Sequence, residues 1–250
     1  MSVAFREVWS RDGMMARIYY QSYSDINVKT LLIDLTQRRR VLSTMHGMVY
    51  VRFVCNNYAP PDLWCALHSQ GLREKYLDSL MNQLGGIAPG DYACLGTGGV
   101  DMDDLAVVSD EYRDVWVTAF TTAGVESNAL RVGVDRASTY EVNGRFERVG
   151  TINTILLTNA SLTEAAMARA LITITEAKCA ALQDLGITSS YTPSLIATGG
   201  TGTDNVMVVP GNGIRITYTG GHSKIGELIG RVVYESVKGG AVSRHRANRT

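Results

Sequence analysis

The chain has 250 residues and a mass of 27.2 kDa, and its 45% hydrophobic content is enough to bury a substantial core within one domain. Twenty-four basic side chains balance 24 acidic ones. This excludes the charge excess of a disordered chain and the positive field of a dedicated nucleic-acid or anionic-membrane binder. Glycine supplies 25 residues against five prolines, above the roughly 7% usual share, which points to backbone brought close to something.

No segment reaches the roughly 18 apolar residues of a membrane helix. The first twenty residues carry Arg6, Glu7, Arg11, Asp12 and Arg17 and do not resemble a signal peptide, so the expectation is a soluble, cytoplasmic protein. Cys55, Cys65, Cys94 and Cys179 lie far apart without a Cys-x-x-Cys pair, which argues against a zinc ribbon or redox motif and for reduced thiols.

The N-terminal part reads as β-rich. Met15–Tyr20, Thr30–Asp34, Arg40–Ser43 and Met48–Cys55 are short β-branched or aromatic runs separated by polar turns, and Pro60-Pro61 ends the unit. Leu72, Tyr76, Leu80 and Leu84 repeat every four residues, one face of a helix closed by Gly85-Gly86. Ala93–Leu95 and Asp114–Thr121 are strand candidates, and Leu130–Val149 is mixed. Thr151–Thr158 predicts a strand, Ser161-Leu-Thr-Glu164 a capping box, and a helix follows to about Leu185, stopped by Gly186. Ser194–Thr198, Val206–Val209 and Ile214–Tyr218 read as strands, Ser223–Val237 as a helix ending at Gly239-Gly240, and the basic tail from Ser243 as frayed. The expected architecture is one α/β domain over residues 1–250: mixed β-sheets flanked by helices, layered as a sandwich. Strand order and oligomeric state, a homo-oligomer included, are left open.

Three glycine-rich segments, Gly96-Thr-Gly-Gly99, Thr198-Gly-Gly-Thr-Gly-Thr-Asp204 and Thr219-Gly-Gly-His-Ser-Lys224, place backbone amides and small hydroxyls beside ionisable groups. None matches a P-loop or a dinucleotide fingerprint. His222 stands just before a predicted helix, with Lys224 and Glu227 following; capping or plain exposure is the competing reading. Glu176 and Lys178 interrupt an apolar helix and, two apart, cannot both face inward. Glu126 and Asn128 follow the strand Val115–Phe120, at a strand end where α/β proteins bind ligands. Asn153, in a core strand, must be hydrogen-bonded if buried. Asp101, Asp103 and Asp104 offer carboxylates for a cation, with a solvated loop as the simpler reading.

Taken in order, Thr122-Ala-Gly-Val-Glu-Ser-Asn-Ala129, Gly150-Thr-Ile-Asn-Thr-Ile155, Thr175-Glu-Ala-Lys178, Thr198–Asp204 and Gly221-His-Ser-Lys-Ile-Gly-Glu-Leu-Ile-Gly230 resemble the motifs of the adenosylcobinamide amidohydrolase family. The resemblance spans about residues 90 to 240. It departs from the family pattern at Gly199-Gly200, one glycine richer, and at Ser223, where threonine is usual. It implies hydrolysis of the amide between the aminopropanol and the corrin side chain, giving adenosylcobyric acid in corrinoid salvage. Complete cobamides are a further substrate class, and cobalt enters with the corrinoid substrate. No cofactor is required, and a divalent metal stays an open alternative.

On that reading His222, Asp204 or Glu176 activates water, Thr201, Thr203 or Asn153 stabilises the oxyanion, and Lys178 or Lys224 orients a carboxylate or the substrate. Thr122, Glu126 and Asn128 complete the substrate-binding set. A covalent route through Thr122, Thr201 or Ser223 is the alternative, whereas Cys94 and Cys179 lack an activating histidine nearby in sequence. The competing classes are a corrinoid-binding or carrier module without hydrolysis and, more remotely, a self-processing peptidase-like hydrolase.

Overall fold

Four antiparallel strands open the chain: β1 (Ala4–Arg11), β2 (Met14–Tyr23), β3 (Ile26–Ser43) and β4 (Gly47–Tyr58). The computed structural model describes residues 3–136 and 151–247, with side chains as far as Ala241. In β2 the alternation of Met14, Ala16 and Ile18 buries one face, as the two-residue period of a strand requires. The runs Thr30–Asp34 and Arg40–Ser43 are two halves of one 18-residue strand. Between them Thr36 takes φ +66 and the register with β4 slips between Asp34 and Arg39, a bulge that bends the strand. The first half of β3 pairs with β2 and the second with β10 (Asn205–Val209), while β4 follows both.

A return through α1 (Pro61–Ser69) and α2 (Arg73–Gln83) brings β5 (Tyr92–Thr97) parallel to β4. Pro61 therefore starts a helix, in keeping with the preference of proline for a first helical turn. β6 (Ala106–Tyr112) and β7 (Val115–Ala123) form a hairpin, and β8 (Ile152–Thr158) runs antiparallel to β7 and parallel to β10. All seven residues of β8 are buried, as expected of a strand covered on both faces.

The nine strands form one sheet in the order β1-β2-β3-β10-β8-β7-β6, with β4 and β5 branching from β3. Its two edges approach each other. Arg11 of β1 pairs with Glu111 of β6 at 2.7 Å, and Trp9 packs on Trp116 and Phe120 with ring centroids 5.7 and 5.6 Å apart. The sheet is thus nearly closed into a barrel, which corrects the expected layered sandwich: strand twist and the β3 bulge curl a single sheet around Ile18, Leu31, Ile33, Phe120 and Leu157. Two further cores lie outside it. α3 (Glu164–Asp184) and α4 (Lys224–Ala247) cover β7 and β8, and α1 and α2 cover β4 and β5.

Helix ends differ from expectation in instructive ways. The N-cap of α3 is Thr163, whose hydroxyl accepts from Ala166 N at 3.2 Å, while Ser161 pairs in the two-residue strand β9 (Ser161–Leu162) with β11 (Arg215–Ile216). The expected capping box fails because β9 claims its serine. α4 continues through Gly239-Gly240, whose backbone packs on Ala106 and Ala123; this contact outweighs a propensity cost of about 1 kcal/mol per glycine. Ser194–Thr198 forms no strand beyond a single bridge, Thr188 to Ile196. Part of the Leu130–Val149 segment and the side chains of the basic tail lie outside the described residues.

Candidate functional site

Where β4, β5 and β7 end and β8 and β10 begin, the register gathers several of the polar residues singled out in the sequence. Thr122 is the Cα partner of Asn153, and Asn153 is the partner of Asn205. Asn153 is fully buried, and both of its donors are used. Its Nδ2 donates to Asn56 Oδ1 and to Gly96 O, both at 2.9 Å, and its Oδ1 lies 3.3 Å from Thr151 Oγ1. Asn56 Nδ2 in turn donates to Thr122 Oγ1 at 3.0 Å. An asparagine amide has two N–H donors. Both are committed here, so Asn153 fixes the strand ends and has no donor left for an oxyanion.

Asp204 lies in the turn before β10. Its Oδ1 accepts from Ile152 N at 2.9 Å, Thr201 N at 3.2 Å and Thr201 Oγ1 at 2.5 Å, and its Oδ2 accepts from Lys178 Nζ at 2.5 Å. The Lys178 and Asp204 side chains are only 11% and 13% exposed. Four donors hold this carboxylate in one orientation. That orientation makes it a good anchor for the lysine. Lys178 reaches it from the inner face of α3, whereas Glu176, two residues earlier, points to solvent. Among the described residues Asp204 is the one hydrogen-bond partner of Lys178, which uses one of the three ammonium N–H groups there.

The glycine loop makes this pair possible. Gly200 has φ +88, and a Cβ there would sit 1.8 Å from Asp204 Oδ2 and 2.6 Å from Lys178 Nζ. Leu130 N and Gly199 N close the loop from the other side by bonding Gly200 O and Leu130 O at 2.9 and 3.0 Å. Thr203 O accepts from Thr151 Oγ1 at 2.7 Å, which ties the loop to the start of β8. Asn128, buried after β7, accepts from Tyr191 OH at 2.8 Å, and Glu126 is exposed beyond the same strand end.

The structure does not bring His222 or Lys224 to this end. Lys224 lies over the Tyr112 ring at 4.9 Å, and Tyr112 pairs with Val115 at the start of β7, whereas Asp204 bonds Ile152, the partner of Ala123 at its finish. β7 separates the two by roughly 25 Å at about 3.3 Å per residue. His222 is exposed with its ring 5.1 Å from that of Tyr218, and Lys224 pairs with Glu227 at 2.5 Å, which lowers the Glu227 carboxyl below its ordinary value. His222, Glu176 and Asp204 therefore cannot form one catalytic group: topology separates the first, and helix phase turns the second outward. Thr201 and Lys178 bond Asp204 directly, Thr203, Asn153 and Thr122 lie at the strand ends beside it, and Asn128 follows β7 with Tyr191 as its partner.

Lys29 Nζ occupies the carboxylates of Asp101 and Asp103, each at 2.7 Å. Burial pushes the Cys55 and Cys179 thiols up, which disfavours thiolate chemistry at either. Among the described residues no three of His, Cys, Asp and Glu are grouped as a metal site. No helix of the described chain is long and apolar enough to cross a membrane.

A mixed α/β domain that sets a buried ammonium–carboxylate pair among amides and hydroxyls at its strand ends suits a neutral, hydrogen-bonding ligand whose reacting group develops negative charge. Comparison with known proteins makes the class specific. The family model for adenosylcobinamide amidohydrolase (CbiZ) matches residues 15–249, and the chain belongs to that family, amidohydrolases that cleave a carbon–nitrogen amide bond of adenosylcobinamide in corrinoid salvage. It is 46% identical over 220 residues to an uncharacterised Methanocaldococcus jannaschii protein, covering 84% of each chain. It is 33% identical over 143 residues to a Methanosarcina mazei protein named adenosylcobinamide amidohydrolase, covering 56% of this chain and 62% of that one. A Pyrococcus horikoshii crystal structure aligns over 87% of this chain and 77% of its own at 10% identity, with a TM-score of 0.41.

Proposed function

We propose that adenosylcobinamide is cleaved at the Lys178–Asp204 cluster. Lys178 is the electrophilic group: its ammonium polarises the scissile carbonyl and stabilises the oxyanion of the tetrahedral intermediate. Asp204 is a positioning residue that holds Lys178 in place, and the Gly199–Thr203 loop with Asn153 and Thr151 fixes Asp204. Thr122, Glu126 and Asn128, at the adjoining strand end, are the substrate-binding set. The nucleophile is water, and no metal is required. The observation that carries this reading is the buried 2.5 Å contact between Lys178 and Asp204 Oδ2, with Oδ1 of the aspartate held by three donors from the protein.

Incubating the protein with adenosylcobinamide and detecting adenosylcobyric acid by mass tests the reading, with and without a chelator. Lys178→Met should lower kcat by about 100-fold or more, the usual effect of deleting one oxyanion donor. Asp204→Asn should do the same, while His222→Ala should remain close to the unmodified protein. Near-normal turnover in both Lys178→Met and Asp204→Asn would refute it. Tight corrinoid binding without product would favour a carrier instead, and loss of turnover with the chelator would show that a metal takes part.

A further inference from the structure

Hydrolysis at Lys178 also needs a group that takes a proton from water and returns one to the departing nitrogen. Asp204 is committed to Lys178 through Oδ2 and to three donors through Oδ1, and His222 stands at the far end of the sheet. His68, on α1, bonds Trp64 O through Nδ1 at 2.9 Å and packs its ring on Trp64 at 4.2 Å, and burial lowers its proton affinity. His46 has a different setting. It lies at the tip of the β3–β4 hairpin, exposed, and that tip is fastened to the start of β10 one residue beyond Asp204. Thr44 Oγ1 donates to Asn205 Oδ1 at 3.1 Å and accepts from Val206 N at 3.0 Å, and Thr44 N donates to Val206 O at 3.0 Å. Ser43 Oγ accepts from the amides of Met45 and His46 at 3.2 and 3.3 Å, which fixes the turn itself.

The ring is oriented as well. His46 Nε2 lies 3.0 Å from Cys94 O, a carbonyl that Arg73 Nη2 also holds at 2.8 Å. A carbonyl only accepts, so Nε2 carries the proton, and in the neutral ring the lone pair is on Nδ1. Two residues along the same free edge of β5, Gly96 O is held by Asn153. One strand edge therefore anchors both His46 and the asparagine that fixes the site, roughly 7 Å apart at the spacing of alternate strand residues. A base oriented by a hydrogen bond through its other nitrogen is the arrangement that acyl-transfer chemistry uses.

We propose that His46 is the general base and acid of this reaction; the proposal rests on the Lys178 site described above. Water, hydrogen-bonded to Nδ1, gives its proton to the imidazole as its oxygen adds to the amide carbon, and the carbonyl electron pair moves to the oxygen facing Lys178. When the tetrahedral intermediate collapses, the carbon–nitrogen bond breaks and the Nδ1 proton goes to the departing nitrogen. The products are the corrin carboxylic acid and the free amine, with the ring neutral again and no other reactant consumed.

The test uses His46→Ala, His46→Gln and Lys178→Met, with folding checked by thermal melts and turnover measured on adenosylcobinamide. Both His46 variants should lose about 10²- to 10⁴-fold in kcat with KM changed by no more than a few-fold. Added imidazole should restore turnover to His46→Ala in proportion to its concentration and give nothing to Lys178→Met. Glutamine retains an N–H for Cys94 O, so full activity in His46→Gln would reduce His46 to a structural tie and overturn the proposal. So would normal turnover in His46→Ala, or a loss there that imidazole does not relieve, the result expected if a carboxylate such as Glu126 is the base. An active Lys178→Met would instead overturn the site itself, whatever the His46 variants do.

Discussion

Gly200→Ala adds a single methyl group at the point where the proposed site is most tightly built. Two costs follow. Alanine in the left-handed region at φ +88 costs on the order of 1–2 kcal/mol. The new Cβ would also lie 1.8 Å from Asp204 Oδ2, so carboxylate and loop must separate by at least about 1.2 Å to reach the shortest tolerated contact near 3.0 Å. Because Oδ1 is held by Ile152 and Thr201, the carboxylate cannot retreat without losing one of those bonds or the lysine. Breaking a buried pair costs about 3–5 kcal/mol, so partial disruption added to the backbone strain gives a loss on the order of 2–5 kcal/mol. At about 2–4 °C per kcal/mol for a chain of this size, the melting temperature should fall by roughly 5–15 °C. A displacement near 1 Å at the reacting group costs about 100-fold in rate, so kcat/KM should drop by that order even well below the melting temperature. Circular-dichroism melts and mass-detected turnover measure both. A variant that melts within 2 °C of the parent and keeps kcat/KM within threefold would refute the reasoning, because the loop would then have room that the geometry denies it.

The two members of the buried pair should differ in how they destabilise the fold. Asp204→Asn leaves the ammonium of Lys178 buried without a counter-charge, whereas Lys178→Met leaves Asp204 with its three donors to Oδ1, so urea unfolding should show the larger loss, about 3–5 kcal/mol, for Asp204→Asn; equal losses would show that the donors do not sustain the carboxylate alone. His68 supplies a pH test. Burial lowers its proton affinity in the folded state, with the positive charge of Arg73 acting in the same direction, so below the unfolded value of about 6.5 the unfolded chain binds more protons than the native one. The stability associated with neutral His68 is present above about pH 6.5 and is lost as the pH falls toward the lower folded value. His68→Gln should flatten the dependence of stability on pH between 7 and 5, and identical slopes in the two proteins would rule His68 out as its source.

Local chemistry was legible where one element decides it. The four-residue spacing of Leu72–Leu84 gave α2, the buried run Thr151–Thr158 gave β8, and Gly186 ended α3 where expected. The two-apart geometry of Glu176 and Lys178 correctly allowed only one inward side chain. What could not be read was whatever depends on where strands go. Thr36 at φ +66 joins two apparent strands into one, and nothing local to Thr36 announces it. β1, with four exposed residues at its start and no clean alternation, gives no period-2 signal, yet its edge helps to close the sheet. His46 carries no motif either. It reaches the candidate site only because β3 and β4 bend together until their turn meets Asn205 and Cys94, residues 159 and 48 positions away in sequence.

The same distinction separates the two sequence motifs that pointed to function. Thr198–Asp204 and Gly221–Gly230 carry family resemblance equally, but the fold gives them different work. In the second, Ser223 Oγ donates to Gly220 O at 2.8 Å and accepts from Gly226 N at 3.2 Å, and Gly226 is packed so that a Cβ would meet Gly220 O at 2.0 Å. Thr219 then bonds Ala166 O through its hydroxyl at 2.6 Å and accepts from Thr173 Oγ1 through its carbonyl at 3.0 Å. These contacts seat the first turn of α4 against α3 and need no ligand to explain them. In the first motif, Gly200 and Thr201 surround a buried carboxylate whose lysine has no other hydrogen-bond partner among the described residues, an expensive arrangement for a fold to keep for packing alone. A glycine-rich motif is equally conspicuous whether its backbone is crowded by a helix or by a carboxylate. The crowding atom distinguishes a joint from a candidate reaction centre, and by that criterion the proposed chemistry belongs with Asp204.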